Sequence, residues 1–180
     1  MIYNLKECVS GGKAVYDTTL EIREENGRLH FRFVAKNSKY YCPFSEYNEQ
    51  HYLGDVCEIF IGSRKDRTEY IEFEVSPDNK QFLAKIKYCG VDADNNPVLE
   101  TEFVENSFVS SVVTKTPDGY IAEISFEKKA ILTGDGDVFF NAYRIETDGG
   151  VEEAHIFALN PTGRPKFHVP TAFLNLSDYL

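Results

Sequence analysis

Short runs of alternating hydrophobic and polar residues, broken by turn-forming residues, dominate this chain. Leu20 and Ile22 alternate with charged residues, Asn26-Gly27 follows, and Leu29, Phe31 and Phe33 then alternate with His30 and Arg32. Asn-Gly between two period-2 runs predicts a tight hairpin, because both residues tolerate the positive φ such a turn needs. A second hairpin is predicted from Val109–Lys115 through Thr116-Pro117-Asp118-Gly119 to Tyr120–Phe126. A third runs from Tyr70–Val75 through Ser76-Pro77-Asp78-Asn79 to Phe82–Tyr88. Asp55–Gly62 and Val138–Glu146 are nearly continuous apolar runs, the pattern of central strands covered on both faces. Only Glu127–Leu132 favours a helix, of one or two turns, while Tyr40–Gly54 reads as an irregular loop. Asp92–Pro97 and Thr133–Asp137 read as turns, and no linker, repeat or low-complexity tract interrupts the pattern. About nine to eleven strands with at most one or two short helices make an all-β antiparallel sandwich. One domain over residues 1–180 is expected.

Charge narrows the partners. The net charge is −10, so the surface is expected to repel both nucleic-acid phosphates and anionic lipid. Neither nucleic acid nor membrane is therefore an expected partner, whereas neutral ligands or a bound cation are compatible with such acidity. No stretch approaches the ~18 apolar residues that cross a bilayer. Met1–Gly12 has one lysine and no apolar core of signal-peptide length, so no export signal is visible. Cys8, Cys42, Cys57 and Cys89 are widely spaced without a CxxC pair, and free thiols in a reducing compartment are expected. There are 14 Phe and 11 Tyr but no Trp, and the single Met is Met1.

Two segments resemble the family 9 carbohydrate-binding modules and their DOMON-like relatives. Tyr52-Leu53-Gly54-Asp55-Val56-Cys57-Glu58-Ile59-Phe60-Ile61, followed by Glu69–Pro77, is similar to the family's tryptophan, Asp-x-x-Glu-hydrophobic-Phe strand and Tyr-rich strand ending in a Pro turn. Phe140-Asn141-Ala142-Tyr143-Arg144-Ile145-Glu146 resembles its Asn-x-Tyr-Arg-Ile-Glu strand. Leu159-Asn160-Pro161 and Phe167-His168-Val169-Pro170-Thr171-Ala172-Phe173 resemble its Trp-x-Pro and closing Phe-His-x-Pro-x-x-Phe elements. The resemblance implies a non-catalytic β-sandwich that holds sugar-chain ends between aromatic rings, sometimes with structural calcium. It also leans towards extracellular polysaccharide work, against the cytoplasmic signals above, so the compartment stays open.

This chain departs from the family at both clamp positions, with Tyr52 at the first and Leu159 at the second. A tyrosine offers a flat face to a pyranose with less area than an indole, and leucine offers none. Either Phe157 or a tyrosine of the 40–52 loop substitutes, or the sugar site has drifted or been lost.

Glu58 stands out, a carboxylate between Val56 and Phe60 on an apolar strand. Such a group must be hydrogen-bonded or solvated, since an unpaired buried charge is costly. It is either the acceptor for two ligand hydroxyls that the resemblance implies or the partner of Arg144 or a lysine. Tyr52 is the candidate stacking ring, or else a tyrosine packed at the sheet edge. Arg144 offers a planar fork to hydroxyls or pairs with a strand carboxylate. Strict period 2 places Asn141 on the opposite face from Arg144. Glu72 and Glu74 share a strand face, and Glu72 is a candidate polar contact. His155 and Phe157 alternate onto one side near the second clamp position, and His168 reads as a tie for the C-terminal segment.

Asp92, Asp94 and Asn96 have the spacing of a calcium-loop opening, but Pro97 stands where such loops need Gly and Phe103 falls at position 12. A solvated turn is expected there, with a looser calcium site, there or at Asp135/Asp137, as the other reading. No other cofactor is expected.

The favoured function is a non-catalytic carbohydrate-binding domain that recognises a neutral mono- or oligosaccharide chain end in an aromatic-walled polar cleft. A separate carbohydrate-active enzyme is a second expected partner. The main alternative is an interaction or structural domain that has lost the sugar. A glycoside hydrolase would need Glu58 with Glu72 or Glu74 as its carboxylate pair. Haem, suggested by related cytochrome domains, would need two of His30, His51, His155 and His168, because Met1 leaves no methionine ligand.

Overall fold

Asn26 and Gly27, at φ 51° and 72°, turn the chain between β3 (Thr18–Glu25) and β4 (Arg28–Lys36), as the pattern predicts. The computed structural model describes residues 1–105, 108–132, 136–150 and 154–180. The third member of this sheet, β10 (Gly119–Glu127), pairs with β4 and, through the Pro117-Asp118 turn, with β9 (Val109–Thr116). Gly119 is required at that turn. Its φ is 155°, and a Cβ there would lie 1.9 Å from the Ala35 carbonyl oxygen. The strand β1 (Ile2–Asn4) closes the other edge, giving the order β1-β3-β4-β10-β9.

The larger sheet has the order β2 (Lys6–Glu7), β12 (His155–Ala158), β11 (Phe139–Glu146), β5 (Val56–Gly62), β6 (Glu69–Val75), β7 (Gln81–Val91), β8 (Pro97–Phe103), with β13 (Leu174–Asn175) also paired to β11. Its central strands are β11 and β5, the two continuous apolar runs, lying side by side. Next to them are β6, β7 and β8. On the far side lie β12, β2 and the short β13. Every strand pairing among the described residues is antiparallel. The predicted helix shrinks to one turn, α1 (Lys128–Ile131), and the strands in excess of the predicted number are two- and three-residue edge pieces.

Between the sheets, Leu20, Phe31 and Phe33 of β3 and β4 pack against Ile59, Phe73 and Phe140 of the large sheet. This is the sandwich core. A second apolar cluster lies on the outer face of the large sheet, built from Phe60, Tyr70 and Tyr143 under Phe167 and Phe173 of the C-terminal segment. Hence β5 and β11 are covered on both sides, by the other sheet within and by the chain's own end without. The four cysteines are free thiols. Among the described residues no helix is long and apolar enough to cross a membrane.

Candidate functional site

Period 2 puts Val56, Glu58 and Phe60 of β5 and Tyr70, Glu72 and Glu74 of β6 on the outer face of the large sheet. Register then sets Glu58 directly opposite Glu74 on one side and Tyr143 on the other, with Phe60 opposite Glu72. Two carboxylates directly opposed on neighbouring strands destabilise a sheet unless something else holds them.

Above this floor opens a cleft of about 530 Å3, lined by Glu58, Glu72, Phe60 and His168 below and by Tyr52 and Phe103 among its walls. The walls are fixed from three directions. Tyr52 sits in a 3-10 turn, His51–Leu53, whose His51 ring nitrogen lies 2.9 Å from the Glu46 carbonyl. The loop before it is pinned to β7, where Asn48 Oδ1 accepts from the Leu83 N–H at 2.7 Å. Just after it, Asp55 accepts from the Tyr41 and Thr147 N–H groups at 2.9 and 2.7 Å, so the first carboxylate of the Asp-x-x-Glu motif staples loops. The C-terminal segment forms the remaining wall, held down by Tyr143, whose hydroxyl donates to the Phe167 carbonyl at 3.0 Å and whose ring stacks on Phe167 at 4.2 Å.

The floor is electrostatically unusual. Carboxylate oxygens of Glu58, Glu72 and Glu74 lie within 4.8 Å of one another. Glu58 is 1% exposed and Glu74 fully buried, and Glu58 Oε1 and both Glu74 oxygens lack hydrogen-bond partners. Burial, and then mutual repulsion, hold Glu58 and Glu74 well above the usual carboxylate range, and burial pushes Glu72 up to about 8. His168 cannot neutralise them. Its Nε2 is 3.8 Å from Glu72 and its Nδ1 2.7 Å from the Tyr70 hydroxyl, but burial lowers its pKa to about 4 and keeps it uncharged near neutrality.

Of the residues singled out from sequence, Tyr52, Glu58 and Glu72 meet in this cleft. Arg144, His155 and Phe157 do not, and those expectations are corrected. Arg144 registers with Cys57, so it points into the sandwich, where it bonds Thr18 Oγ1 at 2.8 Å and pairs closely with Glu146. It is therefore not the partner of Glu58 either. Phe157 is buried in the same interior core, with Leu159, so neither supplies a second ring. His155 is exposed at the end of β12, its ring edge-on to Tyr16 at 6.0 Å.

The second exposed ring in the cleft is Phe103 of β8, which sequence reasoning missed. It is 61% exposed and Tyr52 41%. An apolar residue closing a polar edge strand was its only signal in sequence. Asn141 does face outward, as its phase against Arg144 requires, but its amide donates to the Asn160 and Ala172 carbonyls at 2.8 and 3.3 Å. In the Asp92–Pro97 turn, the Asp92 carboxylate accepts from the Asp94 and Asn96 N–H groups at 2.9 and 2.7 Å and so is occupied by the turn itself. Asp135 lies outside the described residues.

Solved structures share this arrangement of sheets. A domain of Caldicellulosiruptor kristjanssonii, a family 9 carbohydrate-binding module in complex with glucose, matches with a TM-score of 0.67 at 13% identity, over 96% of this chain and 81% of that one. The chain has the fold of the family 9 carbohydrate-binding modules. The cellotriose complex of a family 9 module from that organism matches this CBM9-like domain with a TM-score of 0.63 at 13% identity, over 98% and 78% of the two chains. A candidate carbohydrate-binding protein from Bacteroides uniformis gives a TM-score of 0.75 at 13% identity, over 97% and 84%. No family model matches the sequence. A curated relative, an extracellular protein of Arthroderma benhamiae, is 26% identical over 118 residues, 64% of this chain. The match takes in 53% of that relative, so the CBM9-like domain spans about half its length.

Proposed function

We propose that the outer-face cleft binds a neutral mono- or oligosaccharide by its chain end, without catalysing a reaction on it. One observation carries this reading: two solvent-exposed rings, Tyr52 and Phe103, line a cleft of about 530 Å3 whose floor is carboxylate. Flat rings suit the C–H faces of a pyranose, and a few fixed polar groups suit its hydroxyls. Glu58 and Glu72 are the acceptors, and the Phe103 ring stands in for the indole that this chain lacks.

The same floor argues against hydrolysis. Glycoside cleavage needs a protonated acid and an ionised carboxylate on opposite sides of the bond. Here Glu58 and Glu74 lie side by side on adjacent strands, and the pKa values of all three glutamates move in the same direction. All three carboxyls sit together on one side of the cleft rather than facing each other across it.

A glycan array followed by calorimetry with glucose and cello-oligosaccharides tests the proposal. Saturable binding to at least one neutral sugar is expected, abolished in Glu58→Gln and weakened by about 0.5–1.5 kcal/mol in Tyr52→Ala or Phe103→Ala. Absence of binding to every glycan, or binding indifferent to all three substitutions, removes the sugar from this cleft and leaves an interaction domain.

A further inference from the structure

Three glutamates converge beneath the cleft with no basic partner. Among the described residues, no lysine or arginine forms an ion pair with Glu58, Glu72 or Glu74, and the one close cationic candidate is the neutral His168. Lys166, at the cleft wall, is engaged elsewhere, its Nζ bonded to Asn96 Oδ1. Carboxylates elsewhere in the buried interior are satisfied: Asp55 by Thr147 and Tyr41, and Glu146 by Arg144, Asn37 and Asp148. Among the described residues, only here do buried carboxylate oxygens, Glu58 Oε1 and both of Glu74, stand without hydrogen-bond partners. Such a cluster is tolerated when its carboxyls stay protonated, as burial and the Glu72–Glu74 contact favour, and it can ionise together only when a positive ligand completes it.

We propose that Glu58, Glu72 and Glu74 bind a hard divalent cation, calcium by preference, in the floor of the cleft. The geometry suits a single ion. Oxygens bound to calcium at about 2.3–2.6 Å lie up to about 5 Å apart across the metal. Carboxylate oxygens of the three residues fall within 4.8 Å of each other, so one ion can touch all three without a shift of the strands. The donors are all carboxylate, the chemistry that selects calcium, magnesium or manganese over softer metals. Calcium's irregular shell tolerates three ligands from one wall, whereas magnesium demands a closer octahedron. Glu58 and Glu72 line the open cleft, which gives the ion an entry path. The remaining coordination positions face the same cleft and are left to water or to a hydroxyl-bearing ligand. Ionised together, the three carry a charge of about −3, and a divalent ion reduces this to about −1.

The site is tested with the cation alone, so its fate is separable from the sugar reading. The intact chain is stripped with EDTA and titrated with CaCl2 by calorimetry and with terbium by tyrosine-sensitised emission. With no tryptophan present and Tyr143 opposite Glu58 in the sheet, tyrosine is the donor. One saturable site with a dissociation constant below about 1 mM is expected, weaker by about tenfold or more in Glu74→Gln and unchanged in Asp92→Asn. Absent tyrosine-sensitised emission and heat in the wild-type chain overturns the proposal, and this measurement needs no variant to fold. Undiminished binding in both Glu74→Gln and Glu58→Gln overturns it too, by placing the ion elsewhere. Sugar titrations in EDTA and in CaCl2 complete the set. Sugar binding without cation binding sinks this inference alone, and cation binding without any sugar sinks the sugar reading alone.

Discussion

Arg144 and Tyr143 are neighbours in sequence, yet one closes the interior of the sandwich and the other backs the cleft. Only Tyr143 shares a face with Glu58. The Arg144 guanidinium is fully buried between the sheets, over the Tyr120 and Phe157 rings at 5.6 and 5.8 Å, and is neutralised by Glu146. Glu146 also accepts from Asn37 Nδ2 at 3.0 Å and the Asp148 N–H at 2.9 Å, so the pair is well supported. Removing one member leaves the other charged and buried, which costs about 3–5 kcal/mol, whereas replacing both by apolar residues is often neutral. Arg144→Met should therefore lower the urea-unfolding free energy by that amount, and Arg144→Met with Glu146→Leu should recover most of it. Sugar affinity of the folded fraction should be unchanged in either. A loss of affinity without a loss of stability would return Arg144 to the site. Sequence alone separated Arg144 from Asn141 by phase but could not say which face was inside, because a strand covered on both sides has no apolar–polar contrast to read. Glu58 was legible for the complementary reason: a carboxylate in an apolar run breaks the pattern.

At the level of elements, the hairpins were legible because their turns carry residues with positive φ, such as Asn26-Gly27 and Asn79. The cleft was not. It is assembled across β5, β6, β7 and β8 with a wall from the C-terminal segment, and neither register nor docking of a distant segment is written locally in sequence; hence Phe103 went unseen. His168 marks how that segment is held. Tyr70 and Glu72 face it from β6 and Phe60 from β5, at a centroid distance of 5.0 Å, and burial depresses its pKa from 6.5 to about 4. A histidine that folds neutral contributes stability present above its unfolded pKa and lost as pH falls through it. The wild-type chain should thus lose about 3 kcal/mol between pH 6.5 and 4 relative to His168→Asn, whose side chain does not titrate. Unfolding curves of both at several pH values check this. Parallel pH profiles would mean that folding does not depress the His168 pKa.

On the scale of the molecule, two apolar clusters share one sheet but answer to different demands. Phe31 lies between the sheets, edge-on to Phe126 at 5.9 Å and tilted against Phe140 at 5.8 Å. Phe60 lies outside, stacked on Tyr70 at 5.5 Å and edge-on to Tyr143 and Phe167 at 5.0 and 6.5 Å. Each is at most 1% exposed, so truncation to alanine removes similar buried area and costs about 3–5 kcal/mol in either case. The consequences should differ in kind. Phe31→Ala opens the contact that joins the sheets, so hydrogen exchange should rise throughout both sheets together, as in a global loss of stability against a total of about 5–15 kcal/mol. Phe60→Ala empties the space beneath the C-terminal segment, so exchange should rise first at residues 166–173, and sugar and cation affinity should fall while the β3–β4 hairpin stays protected. Such a split would mean that the outer face is a separately tunable layer laid over an intact sandwich. Uniform deprotection in both variants would instead make the outer cluster part of one cooperative core, and ligand affinity could then change only together with stability.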